Sequence, residues 1–200
     1  MPKLALKRSQ VLPLLLPALL LMVGAPGCNP DEVDTSPDAV AELTPLMDSG
    51  VSGTVRFMLL GEGKVRVEAE ITGLMPGEHG IHIHEWGDCT SPDGESAGSH
   101  FNPDKVEHGA PGSVTHHPGD FGNLDADADG HARLDLVMDT AHFSLSGGRY
   151  DVAGRAIIVH EKPDDFSQPT GNAGARLACG VITRTSGETK PVLNPNPAGG

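Results

Sequence analysis

The sequence predicts an all-β fold, a sandwich or a barrel, on three observations. Apolar and polar residues alternate in five short runs between residues 52 and 161. Clusters of Gly, Pro, Asn and Asp separate those runs. No convincing amphipathic helix is found.

The first two runs, "SGTVRFMLL" (52–60) and "KVRVEAEITGL" (64–74), alternate as a strand does when one face meets a core and the other meets water. "GIHIHEW" (80–86) alternates too, but its polar members are His82 and His84, which a strand turns to one face where both imidazoles can meet one ion. "HARLDLVMD" (131–139) is the fourth run, and "RAIIVHE" (155–161) is the fifth, placing His160 at its end. "DADADG" (125–130) imitates the start of a calcium loop. The twelfth position of such a loop would be Leu136, where a bidentate Glu is required, so the stretch reads as a turn with Gly130 at positive φ. Two glycine-rich segments, 87–123 and 161–180, exceed ordinary connection lengths and are expected to be functional loops.

The ends of the chain read differently. Lys3, Lys7 and Arg8 precede an uncharged apolar run that finishes in small residues, the layout of a secretory signal over 1–27. The run is short for a membrane span and contains Pro13 and Pro17. "GAPGC" resembles a bacterial lipoprotein signal, which implies cleavage before Cys28 and lipid attachment to its thiol, holding the protein on a membrane without spanning it. An ordinary secretory cut is the alternative. Residues 28–50, polar and acidic, are expected to form a flexible tether, with order beginning near Val51, and residues 185–200 a disordered tail. In an exported chain Cys89 and Cys179 are most economically paired as a disulfide, the alternative being two reduced buried thiols.

Charge narrows the partners. The chain has 14 basic and 27 acidic residues, and removing the three signal-segment cations leaves 11 basic. Such a surface repels nucleic-acid phosphates and anionic membranes, and would repel an anionic substrate unless something local reverses the field.

Ten histidines exceed what a structural domain needs. Besides His82, His84 and His160 there are His100 and His108, eight apart, and "HHPGD" with His116, His117 and Asp120. Imidazole suits zinc and copper, and an added carboxylate is common at zinc. His79, His131 and His142 match no ligand block and read as structural or solvated.

The blocks "GIHIHEWGDCT", "SAGSHFNP", "HHPGDFGNLDADADG", "RAIIVHEKPDD" and "GNAGARLACGVI" resemble, in order, those of the copper/zinc superoxide dismutases. The resemblance runs from about Val51 to Thr183, and the domain it defines is set at 51–184. It implies an eight-stranded antiparallel Greek-key barrel. It implies copper held by His82, His84, His100 and His160, and zinc held by His100, His108, His117 and Asp120, so that His100 bridges both ions. His116 stays open as an alternative to His117. Asp164 matches the carboxylate that links a copper histidine to a zinc histidine, and Cys89–Cys179 would pin the long loop. Arg176 would dock the superoxide anion, and His100 would supply a proton to the forming peroxide.

Two functions follow from the resemblance: dismutation of superoxide in the cell envelope, or a non-catalytic copper- and zinc-binding module. Relatives acting as copper chaperones tend to lack copper ligands or the arginine, which favours the enzyme. The segment after "HEKPDDFSQPT" lacks the charged stretch of better-known eukaryotic members, which leaves steering to Arg176. "CTSPDGESAGSH" is longer than its counterpart, so a homodimer is left open and not inherited from the family.

Overall fold

Strand β1 (Ala39–Pro45) pairs on one side with β2 (Ser52–Gly61) and on the other with β8 (Arg176–Val181), and this double pairing closes the sheet. The remaining strands are β3 (Lys64–Thr72), β4 (Gly77–His84), β5 (Asp120–Ala126), β6 (Ala132–Asp139), β7 (Ala156–His160) and the short β9 (Thr183–Arg184). The computed structural model describes residues 36–195, so the signal segment, Cys28 and residues 196–200 lie outside the described residues. Around the barrel the order is β1, β2, β3, β6, β5, β4, β7, β8 and back to β1, every pair antiparallel. β9 continues β8 past Ile182 and pairs with the start of β1, so the barrel has eight staves. The β3–β6 and β4–β7 neighbours are the Greek-key crossovers of an all-β barrel. Closure satisfies edges that an open sheet would leave exposed.

The alternation works as the pleat requires. On β3, Val65, Val67, Ala69 and Ile71 are buried while Lys64, Glu70 and Thr72 are exposed. Phe57 packs against Phe121 and Phe143, with ring centroids 6.4 and 5.8 Å apart, at the heart of the core. β7 is buried along its whole length for a different reason. Ile157 and Val159 face the barrel interior, while Ala156 and Ile158 face outward onto Leu46, Ala97 and Cys179 beneath the disulfide-linked loop. A strand covered on both faces reads as a continuous apolar run.

Two expectations about the ends need correction. The stretch 28–50 is not a tether throughout, because β1 lies within it and buries Ala39, Ala41 and Leu43. Its alternation is written mostly in alanine, whose small apolar area gives a weak signal among acidic neighbours. The expected tail from 185 is also fastened through its described part. Thr185 donates from its N–H to the Asp38 carbonyl at 2.9 Å, and Val192 is hydrogen-bonded to both Gly87 and Gly154. Backbone pairing with distant segments supplied an order that local composition does not encode.

Leu43 separates the two readings of the N-terminal stretch. Leu43→Ala should cost about 2–5 kcal/mol in urea unfolding, the range for emptying a core leucine site. A tether residue would cost less than about 0.5 kcal/mol.

Candidate metal centre

Four elements converge at one end of the site. β4 carries His82 and His84 on its outward face, and β7, paired with it, ends in His160. The β4–β5 loop doubles back so that His100 bridges to His84, with Glu85 N–H donating to the Ser99 carbonyl at 2.8 Å and Phe101 N–H to the Ile83 carbonyl at 2.9 Å. The same loop brings His108 and His117 to Asp120, the first residue of β5. The β7–β8 loop supplies Asp164. All eight of these side chains are buried. Buried titratable groups are expensive unless they pair with one another or hold a metal.

Their donor atoms form two four-membered groups, each with all atoms within 4.8 Å of one another: His82, His84, His100 and His160, and then His100, His108, His117 and Asp120; a third, three-membered group is His82, His108 and Asp164. His100 belongs to both four-membered groups. Its ring centroid lies 4.1 Å from His82 and 5.1 Å from His84 on one side, and 5.2 Å from His108 and 5.5 Å from His117 on the other.

The hydrogen bonds decide which nitrogens carry lone pairs. His84 Nδ1 donates to the Gly98 carbonyl at 2.9 Å and His160 Nδ1 to the Gly174 carbonyl at 3.4 Å. Each neutral ring then has an acceptor at Nε2, and these two acceptors face each other at 3.4 Å. His82 Nε2 donates to Asp164 at 2.8 Å, which leaves a buried Nδ1 without a hydrogen-bond partner. On the other side His117 Nε2 donates to the Val106 carbonyl at 3.3 Å, and its Nδ1 faces Asp120 at 3.1 Å. His108 Nδ1 stands 2.9 Å from Asp120 Oδ2 yet makes no hydrogen bond of proper angle, so both atoms are aimed at a third point. Lone pairs that converge on one another are what a cation requires, and the donor types fit one all-imidazole ion and one three-imidazole, one-carboxylate ion.

Asp164 ties the two groups together. It accepts from His82 Nε2 and, at 2.9 Å, from His108 Nε2, fixing both tautomers so that each Nδ1 points at its own group. Asn123 holds Asp164 in turn, accepting from its backbone N–H at 2.7 Å and donating to its carbonyl at 3.0 Å. Gly171 leaves room for this arrangement. A Cβ there would lie 1.8 Å from Asp164 Oδ1, and its φ of +76° is left-handed.

Electrostatics follows the same division. Burial, with neighbouring imidazoles and Arg176, pushes His84 and His160 well below their ordinary range, and burial lowers His100 to about 4 despite Asp120. Burial also opposes the His108 imidazolium, but Asp120 and Asp164 outweigh it and raise that group to about 9. Asp120 is held far below the usual carboxylate range, burial being overcome by the His100, His108 and His117 imidazoles gathered around it.

Arg176 opens β8 opposite His160 in the register. Its Nη1 donates to the Gly94 carbonyl at 2.7 Å and its Nη2 to Glu95 at 3.3 Å, which anchors a largely buried guanidinium. The Cys89–Cys179 disulfide joins this loop to β8 across 90 residues. Between them lies a cavity of about 720 Å³ lined by His84, His100, His160, Trp86, Glu95 and Arg176, among others. It gives access to the all-imidazole group from outside.

The other histidines stand apart. His116 donates from Nδ1 to the His117 carbonyl at 2.7 Å and joins neither donor group. His79 is buried, with Nδ1 2.9 Å from the His160 carbonyl and Nε2 2.8 Å from the Met75 carbonyl, and so backs the end of β7. The sequence offers a signal for that role only in hindsight, since His79 sits out of step with His82 and His84. "DADADG" is a turn, Gly130 having φ +77° and Asp127 Oδ1 accepting the N–H groups of Asp129 and His131.

A family model described as copper/zinc superoxide dismutase matches residues 51–182. The chain belongs to that family. The copper/zinc superoxide dismutase family binds copper and zinc, and the two donor groups fit that pair. The chain is 43% identical over 144 residues to the human copper chaperone for superoxide dismutase, an alignment covering 68% of this chain and 50% of that protein. It thus spans about half the length of that curated relative. Among solved structures it is similar to the clock protein EA4, at 42% identity and a TM-score of 0.66, covering 76% of this chain and 98% of that one.

The shifts set a pH optimum for the metal-free chain. His100, His84 and His160 have folded values below the unfolded 6.5, so their contribution is intact above 6.5 and is lost as pH falls toward 4. His108 is raised, so its contribution is intact below 6.5 and is lost as pH rises through about 9. Urea midpoints of metal-free protein should therefore peak near pH 6.5. Added zinc should flatten the alkaline arm, because the metal replaces the proton at His108.

Proposed function

We propose that the chain dismutates superoxide, converting two superoxide anions and two protons to oxygen and hydrogen peroxide. In this reading His82, His84, His100 and His160 hold copper, and His100, His108, His117 and Asp120 hold zinc, with Asp164 keeping the ligand rings in place. Bound copper supplies one-electron redox chemistry, and zinc supplies a fixed charge without redox change.

The observation that carries this reading is Arg176 at the cavity that opens onto the copper-side donors. A metal store needs no guanidinium there, since a cation repels an incoming metal. A small anion does need one, because 27 acidic residues against 14 basic ones would otherwise keep it away. Arg176 presents paired donors in a fixed plane, held by the Gly94 carbonyl. Glu95 sets a limit on the attraction, as it sits on the same guanidinium. His100 Nδ1 lies on the Asp120 side, 3.3 Å from Oδ1, which leaves Nε2 for the copper side. A proton held at Nε2 would lie beside an anion docked on Arg176, where it could neutralise the departing peroxide. Trp86 and the buried barrel wall confine the field, and a confined field raises the capture rate of a charged substrate.

A second reading is a copper-delivery module, and the name of the human relative favours it. The two make opposite demands on Arg176. For a dismutase, Arg176→Ala lowers the second-order rate by about 10- to 100-fold, the value of a charge-assisted contact, and leaves copper content unchanged. His160→Ala lowers activity further by removing a copper donor. For a delivery module, fully loaded protein shows no dismutation, and Arg176→Ala leaves copper transfer intact. Both are read by superoxide decay alongside metal analysis.

We also place the protein at the cell envelope, tethered through Cys28. The support is the signal-like segment, the small residues before Cys28 and a disulfide suited to an oxidising compartment. Cys28→Ser should move the protein from the membrane to the soluble fraction on cell fractionation. Retention in the membrane would defeat the lipid anchor.

A further inference from the structure

The described end of the C-terminal segment lies against the rim of the cavity. From Lys190 the chain reads "KPVLNP". Pro191 and Pro195 restrict Lys190 and Asn194, the residues before them, to extended backbone, so the segment is stiff before it touches anything. It is then held from both sides at one residue. Val192 N–H donates to the Gly154 carbonyl at 2.6 Å, and the Val192 carbonyl accepts from Gly87 N–H at 2.7 Å.

The seat is made for backbone and nothing larger. A Cβ on Gly154 would lie 2.3 Å from the Lys190 carbonyl oxygen, and a Cβ on Gly87 would lie 1.9 Å from the Gly154 carbonyl oxygen. Gly154 is itself fastened to the end of the barrel, its N–H donating to the Ile182 carbonyl at 2.8 Å. Upstream, Arg184 N–H donates to Thr189 Oγ1 at 2.9 Å. Extended backbone turns alternate residues to opposite sides. Leu193 is exposed, whereas Asn194 lines the cavity that holds His84, His160 and Arg176.

We infer that residues 189–194 form a fixed strap along the mouth of the metal site, with Asn194 as a residue that determines which solutes enter. The strap leaves the way open to anions of two or three atoms and slows multidentate ligands that must surround the metal. Asn194 contributes a neutral amide, so the attraction at Arg176 is untouched while the opening is narrowed. This rests on the metal-binding part of the proposed function and not on dismutation.

The test compares the copper- and zinc-loaded full chain with a chain ending at Thr189 and with Val192→Pro. The second variant keeps the full length and removes the N–H that holds the strap. Two quantities are read from the copper absorption spectrum: the rate at which EDTA extracts copper, and the affinity for azide. The shortened chain, which loses both backbone hydrogen bonds, should lose copper to EDTA at least about tenfold faster, and Val192→Pro, which loses one, at least about threefold faster. Azide affinity should stay within about twofold, since its route and its copper site are unchanged. Equal extraction rates in all three proteins would overturn the strap. So would extraction and azide affinity moving by the same factor, which marks a damaged site and not a wider mouth. Neither reading requires turnover, so a chain that extracts as expected but fails to dismutate superoxide would overturn the enzyme and leave the strap standing.

Discussion

Two unprotonated imidazole nitrogens, on His84 and His160, face each other with their protons engaged elsewhere. Together with the orphaned Nδ1 of His82, they make a buried set of lone pairs in the all-imidazole group that repel one another until something positive lies between them. Much of the surrounding structure keeps those lone pairs aimed. Gly98 and Gly174 hold two rings by their carbonyls, Asp164 holds two more, and Asn123 holds Asp164. Without metal the arrangement stores repulsion in the interior. With metal it becomes a rigid coordination shell, because the entropy of placing the rings has been met by the barrel.

The barrel meets it through a division of labour. Paired strands position His82, His84 and His160 to within the tolerance of a hydrogen-bond ladder, and the start of β5 adds Asp120. Loops supply the rest, and long loops are loose unless tied. The β4–β5 loop is tied to β4 through the pairings around His100, to β8 by the disulfide, and to Arg176 through the Gly94 carbonyl. A single covalent link thereby fixes the distance between a guanidinium on a strand and imidazoles on a loop. Ile158 and Cys179 pack beneath that link, so the small outer core stabilises the site as well as the fold.

Charge at the mouth is a balance and not a simple funnel. Arg176 supplies the positive end, Glu95 draws on it, and the rest of the surface is strongly acidic. A well of this shape is short-ranged, so its pull on any anion is confined to the cavity, where the low dielectric strengthens the last few ångströms of attraction. The C-terminal segment then matters for geometry, as it shapes the opening without altering the charge.

Period-2 alternation, with turn residues between the runs and no helical periodicity, determined that this chain is all-β, since a strand with one wet face leaves its mark on every second residue. It also determined that His82 and His84 share a face, and the family blocks carried the remaining donors. Only the tertiary structure decided that His117 and not His116 joins the second donor group. Adjacent residues have the same local spacing, and what separates them is the turn that sends His116 Nδ1 to the His117 carbonyl. Only the tertiary structure made a strand of "AVAELTP" and a strap of "KPVLNP", because both are ordered by backbone hydrogen bonds to partners far away in the chain. Such bonds depend little on side-chain pattern, and so they leave only a weak trace in the order of residues.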